Sequence, residues 1–160
     1  MRWFISDSHF QHTNIIRYCD RPFKDTLEMD ITMMDLWNER VKEGDIVYHL
    51  GDFSFKPWIW RPTLNGHIIL IQGNHDKRKD TRCFEYRKNL VIQLGPFRCY
   101  LTHRPSKILP QELQLADFIL HGHIHNTYLY SGKFVNLGVD VWNFKPVSEV
   151  ELIKFLKEIK

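Results

Sequence analysis

Five apolar runs, each followed by a short polar motif, constrain the fold of this chain more than any other feature. The runs read as β-strands, and they are Trp3–Ile5, Ile46–Tyr48, Ile68–Ile71, Cys99–Leu101 and Phe118–Leu120. The motifs follow in order as Asp7-Ser8-His9, Gly51-Asp52, Gly73-Asn74-His75-Asp76, His103 and His121-Gly122-His123-Ile124-His125. Because open α/β sheets bind ligands at the carboxyl ends of their strands, we expect the motifs to converge on one crevice.

The motifs supply carboxylate, imidazole and amide groups, which are the ligands that a pair of divalent metal ions needs. Two neighbouring cations repel each other, so an anion must be shared between them, and the carboxylate of Asp52 can bridge where a neutral imidazole cannot. A ligand set without thiolate suits Mn²⁺, Fe, Zn²⁺, Co²⁺ or Ni²⁺ better than Mg²⁺, which prefers oxygen. We expect two divalent ions per chain, with Mn²⁺ as the first choice.

The ordered motifs resemble those of the calcineurin-like metallophosphoesterases, whose pattern is D-x-H, G-D, G-N-H-[DE], H and G-H-x-H. The resemblance spans Asp7 to His125, which is most of the chain. It implies two metal positions bridged by Asp52, and a place for His75 beside the phosphate. It assigns Asp7, His9 and His125 to one ion, and Asn74, His103 and His123 to the other.

In the mechanism that follows, a hydroxide shared by the two ions attacks phosphorus in line. His75 stands next to a proposed ligand in sequence, so we expect it to act on the phosphate or on the leaving oxygen rather than on a metal. Asp76 is expected to hold the imidazole of His75 in its charged form. The alternative is that Gly73–Asp76 is an ordinary polar turn, since turns favour these residue types.

The other histidines carry weaker signals. His49 and His67 lie in or at apolar strands and are predicted to be structural. His121 is predicted to support the site without binding metal. His12 follows the first motif, with Arg17 close behind, and both are candidates for contact with the substrate. Alternatively, His12 caps a helix or faces water.

An aromatic segment, Phe53–Pro62, follows the proposed bridging ligand. Trp58 or Trp60 could stack on a base or another flat leaving group, with Lys56 or Arg61 near the phosphate. The simpler alternative, which we favour slightly, is packing or a contact between subunits.

Length and composition are those of one small domain over residues 1–160. With 43% hydrophobic residues the chain can bury a sizeable core. Its three cysteines, Cys19, Cys83 and Cys99, are odd in number and widely spaced, so neither a disulfide framework nor a thiolate metal site is expected. No apolar run approaches a membrane span and no leader pattern stands at the N-terminus, so we expect a cytoplasmic protein with no membrane contact. Basic residues concentrate between Lys77 and Lys88, where they either attract an anionic substrate or simply face water.

Secondary-structure patterns predict an α/β fold of two stacked mixed β-sheets flanked by helices, as the resemblance also implies. A helix is expected from about Leu27 to Val41, with its core stripe at Leu27, Ile31, Met34, Trp37 and Val41, and with Asp25 and Glu28 as a capping box. Further strands are expected near 90–94 and 133–137. Leu90–Leu101 reads as a hairpin, and a closing helix begins at Ser148.

The preferred function is hydrolysis of a small phosphodiester, and nucleotide-like compounds are one candidate for it. An uncapped site with few candidate arginines favours the single charge of a diester over the dianion of a monoester. A phosphomonoesterase or nucleotide phosphatase with the same site is the alternative. A nuclease is less favoured because one basic patch is weak support for binding nucleic acid. A non-catalytic scaffold is less favoured because all metal positions and His75 are present. No sequence feature predicts the oligomeric state.

Overall fold

A computed structural model of the chain describes residues 1–77 and 84–160. In these ranges ten strands form two five-stranded sheets. The first sheet has the order β10-β1-β2-β3-β4. Its strands are β1 (Arg2–Ile5), β2 (Ile46–His49), β3 (His67–Ile71), β4 (Glu85–Arg87) and β10 (Val147–Ser148). The strands β1 to β4 pair in parallel, while β10 is antiparallel to β1.

The second sheet is mixed and has the order β5-β6-β7-β9-β8. Its strands are β5 (Leu90–Leu94), β6 (Phe97–Leu101), β7 (Phe118–His121), β8 (Tyr130–Ser131) and β9 (Phe134–Asn136). The predicted hairpin is confirmed, since β5 and β6 pair antiparallel. In contrast, β6, β7 and β9 run parallel. The crossovers bring the carboxyl ends of β6 and β7 to one edge.

Helices cover the sheets, and two of them are long. In the described ranges the helices are α1 (Thr13–Tyr18), α2 (Thr26–Arg40), α3 (Pro57–Trp60), α4 (Pro110–Leu113) and α5 (Glu149–Ile159). Short 3₁₀ helices occupy 61–63, 105–107 and 139–141. None of the helices in the described ranges has the length and apolarity needed to cross a bilayer.

Side-chain alternation along the strands divides the interior into two cores. In β1, Trp3 and Ile5 face α2, where they join a cluster containing Met29, Met33 and Trp37. Phe4, between them, faces the second sheet, where it joins a cluster with Leu101 and Leu120 among others. This period of two is what a strand buried on both faces requires. The predicted architecture of stacked mixed sheets flanked by helices is therefore confirmed.

The predicted stripe of α2 is wrong at its N-terminal half. Leu27 is 62% exposed and Ile31 is 41% exposed, whereas Met29, Met33 and Trp37 are buried at a spacing of four residues. The helix is rotated because Asp30 is buried on the same face and bonds to the loop before α1. The capping box is half formed, since Asp25 accepts from the amide of Glu28, but Glu28 accepts from that of Lys24.

The other predicted strands and the closing helix are present in the described ranges. The closing helix begins at Ser148 with a complete capping box to Glu151. The short strands β4, β8 and β10 were not predicted from the sequence. Cys83 and the central part of the basic stretch Lys77–Lys88 lie outside the described residues.

Candidate metal centre

The carboxyl ends of β1, β2, β3, β6 and β7 meet at one place, as the sequence predicts. Backbone bonds connect the loops there: the amide of Asp7 donates to the carbonyl of Gly51, and that of Gly122 to the carbonyl of His103. In the described residues, three groups of side chains each bring their ligand atoms within 4.8 Å of one another. Two of them consist of predicted ligands, and we call these the ligand groups: Asp7, His9 and His125, and Asp52, His103 and His123. The third, which was not predicted, is Cys19, His125 and Asp140.

Asp52 connects the two groups through a single oxygen. Its Oδ2 lies 3.6 Å from Nε2 of His9 and 3.3 Å from Nε2 of His103. Its Oδ1 accepts a hydrogen bond of 2.8 Å from the backbone amide of His75. This second bond orients the carboxylate so that Oδ2 faces imidazoles of both groups. Oδ2 of Asp52 therefore lies between imidazoles of the two ligand groups.

Neighbouring groups favour the protonated imidazole of His103. Burial alone would lower its pKa, but Asp52, Asp7 and the carbonyl of Leu50 raise it. Its Nδ1 donates to that carbonyl at 2.7 Å, and its Nε2 lies 3.3 Å from Oδ2 of Asp52 and 3.0 Å from Oδ1 of Asn74, both of which can accept from it. A cation held by His103 must therefore displace the proton on Nε2. The side chain of Asn74 thus lies next to His103 and Asp52.

His9 gives an independent indication of a cation. Its Nε2 is buried and has no hydrogen-bond partner in the described part of the chain. Burial lowers the pKa of His9 to about 2, so the ring is neutral and offers a lone pair. An unpaired buried acceptor is costly, and a metal ion would remove that cost. The donor set around His9 and Asp7 therefore fits a divalent ion.

Two further candidate ligands have pKa values set by their neighbours. Burial lowers the pKa of His125, but hydrogen bonds with Asp140 and Cys19 outweigh it and raise the pKa to about 10. For Asp52, burial raises the pKa, but His103 and His9 face the carboxylate and hold its pKa below the usual range. In the chain without metal, a proton on His125 therefore offsets the carboxylates. A cation that binds there must displace that proton.

Many of these ligands have strained backbone. Left-handed φ angles occur at Asp7 (56°), His9 (52°), Asp52 (55°), His123 (75°) and His125 (49°). Asp tolerates this region better than most residue types, and His is also enriched there. Such clusters of strain are typical of functional sites.

Glycines in the motifs allow close approach between the loops. A Cβ on Gly122 would lie 1.9 Å from Oγ of Ser6 and 2.4 Å from Oδ2 of Asp7. A Cβ on Gly73 would lie 2.2 Å from Oδ1 of Asp52. A side chain therefore does not fit at either position without moving the neighbouring loop.

A buried ion pair that sequence reasoning missed holds this backbone. Arg21 bonds to Asp140 through Nε at 2.8 Å and through Nη2 at 3.1 Å. The same guanidinium donates to the carbonyls of Asp7 and Ser8. Asp140 also lies 3.4 Å from Nδ1 of His125. No motif marks Arg21 or Asp140, since the two residues are far apart in sequence and meet only in the fold.

His49 has the structural role predicted for it. It accepts from the amide of Gly51 at Nδ1, and its Nε2 lies 2.9 Å from Oγ of Ser8, which donates to the carbonyl of Phe53. His121 is buried behind the site and does not belong to either ligand group. His67 is instead at the surface, where it pairs with Glu85 at 2.8 Å.

The predicted role of Asp76 is wrong. Its Oδ2 accepts from the amides of Asp52 and Gly73, both at 2.8 Å, and its Oδ1 accepts from the amide of Phe53. Both oxygens are therefore turned to backbone rather than to the imidazole of His75. Asp76 joins the Gly51-Asp52 loop to the Gly73 loop because a carboxylate can accept several amide bonds at once. It positions Asp52 instead of activating His75.

A cavity of about 720 Å³ opens beside His9 and His125. His75 lines it, 43% exposed, with Nε2 3.9 Å from Oδ2 of Asp52. His12 lines it too, with its Nδ1 3.1 Å from Nδ1 of His9 and its ring 4.5 Å from that of Phe55. The apolar side of the cavity is formed by Ile15, Tyr18, Phe55 and Ile124. His12 and His75 are thus placed where a substrate would lie.

Two candidate substrate residues do not reach this cavity. Arg17 is exposed on α1, and Trp58 is 56% exposed on α3; neither side chain lines the cavity. Phe55 and Tyr18 supply the aromatic surface instead. Trp60 is buried and stacks on Phe10 with ring centroids 5.2 Å apart, so packing is the correct reading for it. Arg61 donates to the carbonyls of Leu64 and Gly66, away from the site.

Comparisons with known proteins identify the family of this chain. The family model described as the calcineurin-like phosphoesterase superfamily domain matches residues 2–146. An uncharacterised protein of Methanocaldococcus jannaschii is 36% identical over 171 residues, which cover 99% of this chain and 92% of that protein. A crystal structure of a protein of unknown function from Aquifex aeolicus is 29% identical, with a TM-score of 0.76 and coverage of 97% and 98%. A Vps29 single mutant from Entamoeba histolytica shares the fold at 20% identity, with a TM-score of 0.50 and coverage of 84% of this chain and 72% of that one.

Proposed function

The chain belongs to the calcineurin-like phosphoesterase superfamily, and we propose that it is a phosphodiesterase that works with two divalent metal ions. The family and the candidate ligand clusters support a metal-dependent phosphoesterase. The number of ions, the diester preference and the identity of the metal are the proposal. Manganese is the metal we expect, because imidazole, carboxylate and amide ligands without thiolate suit it well.

The position of Asp52 carries the proposal. One oxygen of this carboxylate lies within 3.6 Å of an imidazole nitrogen from each ligand group. Asp7, His9 and His125 would hold one ion, and Asn74, His103 and His123 the other. When bound, such ions polarise the phosphate and lower the pKa of a water molecule so that it can serve as the nucleophile.

The residues of the chain then orient the substrate and supply a proton. His75 is close to Asp52 yet partly exposed in the cavity, so its imidazole can reach an oxygen that leaves the phosphorus. A donor in that position helps most when the leaving oxygen is strongly basic. Phe55 and Tyr18 would cover a flat leaving group, such as a base, on the apolar side of the cavity.

The charge of the cavity beside His9 favours a diester. Its described lining contains imidazoles but neither lysine nor arginine. A monoester dianion would gain little neutralisation there beyond that given by the ions. Phosphomonoesterase activity remains the second candidate because Arg104 donates through Nε to Oδ1 of Asn74 at 3.2 Å, and its guanidinium is thus close to the second ligand group.

One experiment tests metal number and preference together. Metal-depleted protein is titrated with Mn²⁺, and the loaded protein is assayed with bis(4-nitrophenyl) phosphate and 4-nitrophenyl phosphate. We expect two ions per chain at saturation and faster turnover of the diester. Asp52→Asn should weaken metal binding and depress both activities, whereas Asp35→Asn, which changes an exposed carboxylate on α2, should leave both unchanged. Saturation at one ion, unaltered by Asp52→Asn, would contradict the bridged pair. A clear monoester preference would select the second candidate.

A further inference from the structure

A second cavity adjoins the metal centre through a different set of ligands. It has a volume of about 520 Å³ and reaches the centre at Gly73, Asn74 and His103, whereas the first cavity reaches it at His9, His75 and His125. We call the second cavity the basic groove, because Lys88, Arg104 and Lys107 line it. Both volumes are within the range of small-ligand sites.

The basic side chains of the groove form no ion pair with a carboxylate of the described residues. The side chains of Lys88 and Lys107 make no hydrogen bond within the described ranges, and the guanidinium of Arg104 donates to the neutral amide of Asn74. By contrast, four arginines elsewhere in the described ranges are paired with acids, in the pairs Arg2–Glu149, Arg21–Asp140, Arg40–Glu151 and Arg87–Glu85. Arg104 is also half-buried beside a proposed metal ligand.

Glu112 is the only acidic residue among those that line the groove in the described part of the chain. Its carboxylate accepts from the amide of Leu109 at 2.7 Å and from the hydroxyl of Tyr100 at 2.6 Å. These two bonds, and to a smaller extent the charge of Lys88, lower the pKa of Glu112. Three cations against one anion leave the groove with a surplus of positive charge.

The two cavities thus differ in the chemistry they accept. The cavity beside His9 is aromatic and apolar at its outer side, whereas the groove beside Asn74 is cationic. A phosphodiester held at the metal centre extends in two directions from phosphorus. We propose that the groove binds a second phosphate group of the substrate, so that the substrate class is a small nucleotide-like diester with one further phosphate. This inference rests on the proposed phosphodiesterase function and specifies its substrate.

Charged groups in the groove are exposed, and this sets the expected size of the effect. Each exposed lysine contributes modestly to binding of an anion, so the two lysines together should give a preference of about tenfold. The preference should shrink as salt is added, because exposed charges are screened over roughly 10 Å at 0.1 M ionic strength.

A matched pair of chromogenic substrates tests the proposal. Thymidine 3′-(4-nitrophenyl phosphate) is compared with the same compound carrying a 5′-phosphate, on the Mn²⁺-loaded protein. We expect kcat/KM to be about tenfold higher for the 5′-phosphorylated compound. The double variant Lys88→Gln/Lys107→Gln should lose this preference and keep its rate on the 5′-hydroxyl compound. Lys154→Gln, which removes an exposed lysine on α5, should retain the preference.

The outcomes separate the two proposals. If neither compound releases nitrophenolate, the proposed function fails, and binding then tests the groove directly by calorimetry with thymidine 3′,5′-bisphosphate and thymidine 3′-monophosphate. Tighter binding of the bisphosphate that depends on the two lysines supports the groove. Equal kcat/KM for both substrates, or a preference that survives the double variant, overturns it. A kcat/KM for oligothymidylates that keeps rising beyond the dinucleotide overturns the small-substrate assignment in favour of a nucleic-acid strand.

Discussion

Replacing the buried Asp140 by Asn should lower the free energy of unfolding more than removing the acid of an exposed ion pair does, because it leaves the guanidinium of Arg21 buried without its counter-charge. The side chains of Arg21 and Asp140 are 0% and 2% exposed. Removing one partner of such a pair costs about 3–5 kcal/mol. We expect the lower end, about 3 kcal/mol, because Asn keeps one acceptor and the carbonyls of Asp7 and Ser8 still accept from Arg21.

Urea denaturation followed by circular dichroism measures the free energy of unfolding. Glu149→Gln is the matched control, because Arg2 and Glu149 are also 2.8 Å apart but 30% and 26% exposed. That control should lose at most about 1 kcal/mol. Asp140→Asn should also bind metal about 10- to 100-fold more weakly, since Asp140 orients His125. A loss for Asp140→Asn no larger than that for Glu149→Gln would refute the argument from burial.

Three further predictions concern the site and the fold. His75→Ala should lower turnover by about 10²–10⁴ while leaving metal content nearly intact, with a larger loss for alkyl than for aryl esters; loss of metal in proportion to activity would make His75 a ligand. Gly122→Ala should abolish metal binding measured by elemental analysis, because its Cβ meets Asp7 Oδ2 at 2.4 Å, whereas Gly44→Ala, with open space around it, should bind metal normally. Burial raises the pKa of Asp30 from 3.8 to about 6, so the folded state holds this proton more tightly than the unfolded state does. The free energy of unfolding should therefore fall as pH rises from about 4 to 6, by at most about 3 kcal/mol. Asp30→Asn should remove that decline from the urea-derived pH profile, and an unchanged profile would contradict the assignment.

The strand pattern and the convergence of the candidate ligands were predictable from the sequence because both follow from local features. Each candidate ligand stands within a few residues of an apolar run, and parallel pairing then brings the ends of these runs together. His9, Asp52 and His103 are therefore in place without any knowledge of the tertiary contacts. The structural role of His49 and the packing of Trp60 were also predictable from local features, because His49 lies in an apolar strand and Trp60 in an aromatic segment.

Residues that act across the fold were not predictable. Asp76 is adjacent to His75 in sequence, yet its carboxylate turns to amides of two loops, and only the fold shows where those amides lie. Trp58 has the side chain that a base-stacking residue needs, but α3 places it on the surface and leaves the cavity to Phe55. The predicted core stripe of α2 was wrong in its N-terminal half because a buried carboxylate, Asp30, rotates the helix. The spacing of apolar residues cannot reveal that a carboxylate is buried.

The strained backbone of the candidate ligands is held in place by residues outside the ligand set. A left-handed conformation at a residue other than glycine costs of order 1 kcal/mol, and it persists only where the surroundings determine it fully. Arg21 supplies such a constraint by binding the carbonyls of Asp7 and Ser8, and Asp76 does so by binding the amides of Asp52 and Phe53. Both residues bond to backbone atoms, so the direction of each candidate ligand depends on hydrogen bonds made by residues outside the ligand set. A chain that kept all the metal-binding side chains but lost Arg21 or Asp76 would therefore present the same donors at the wrong angles.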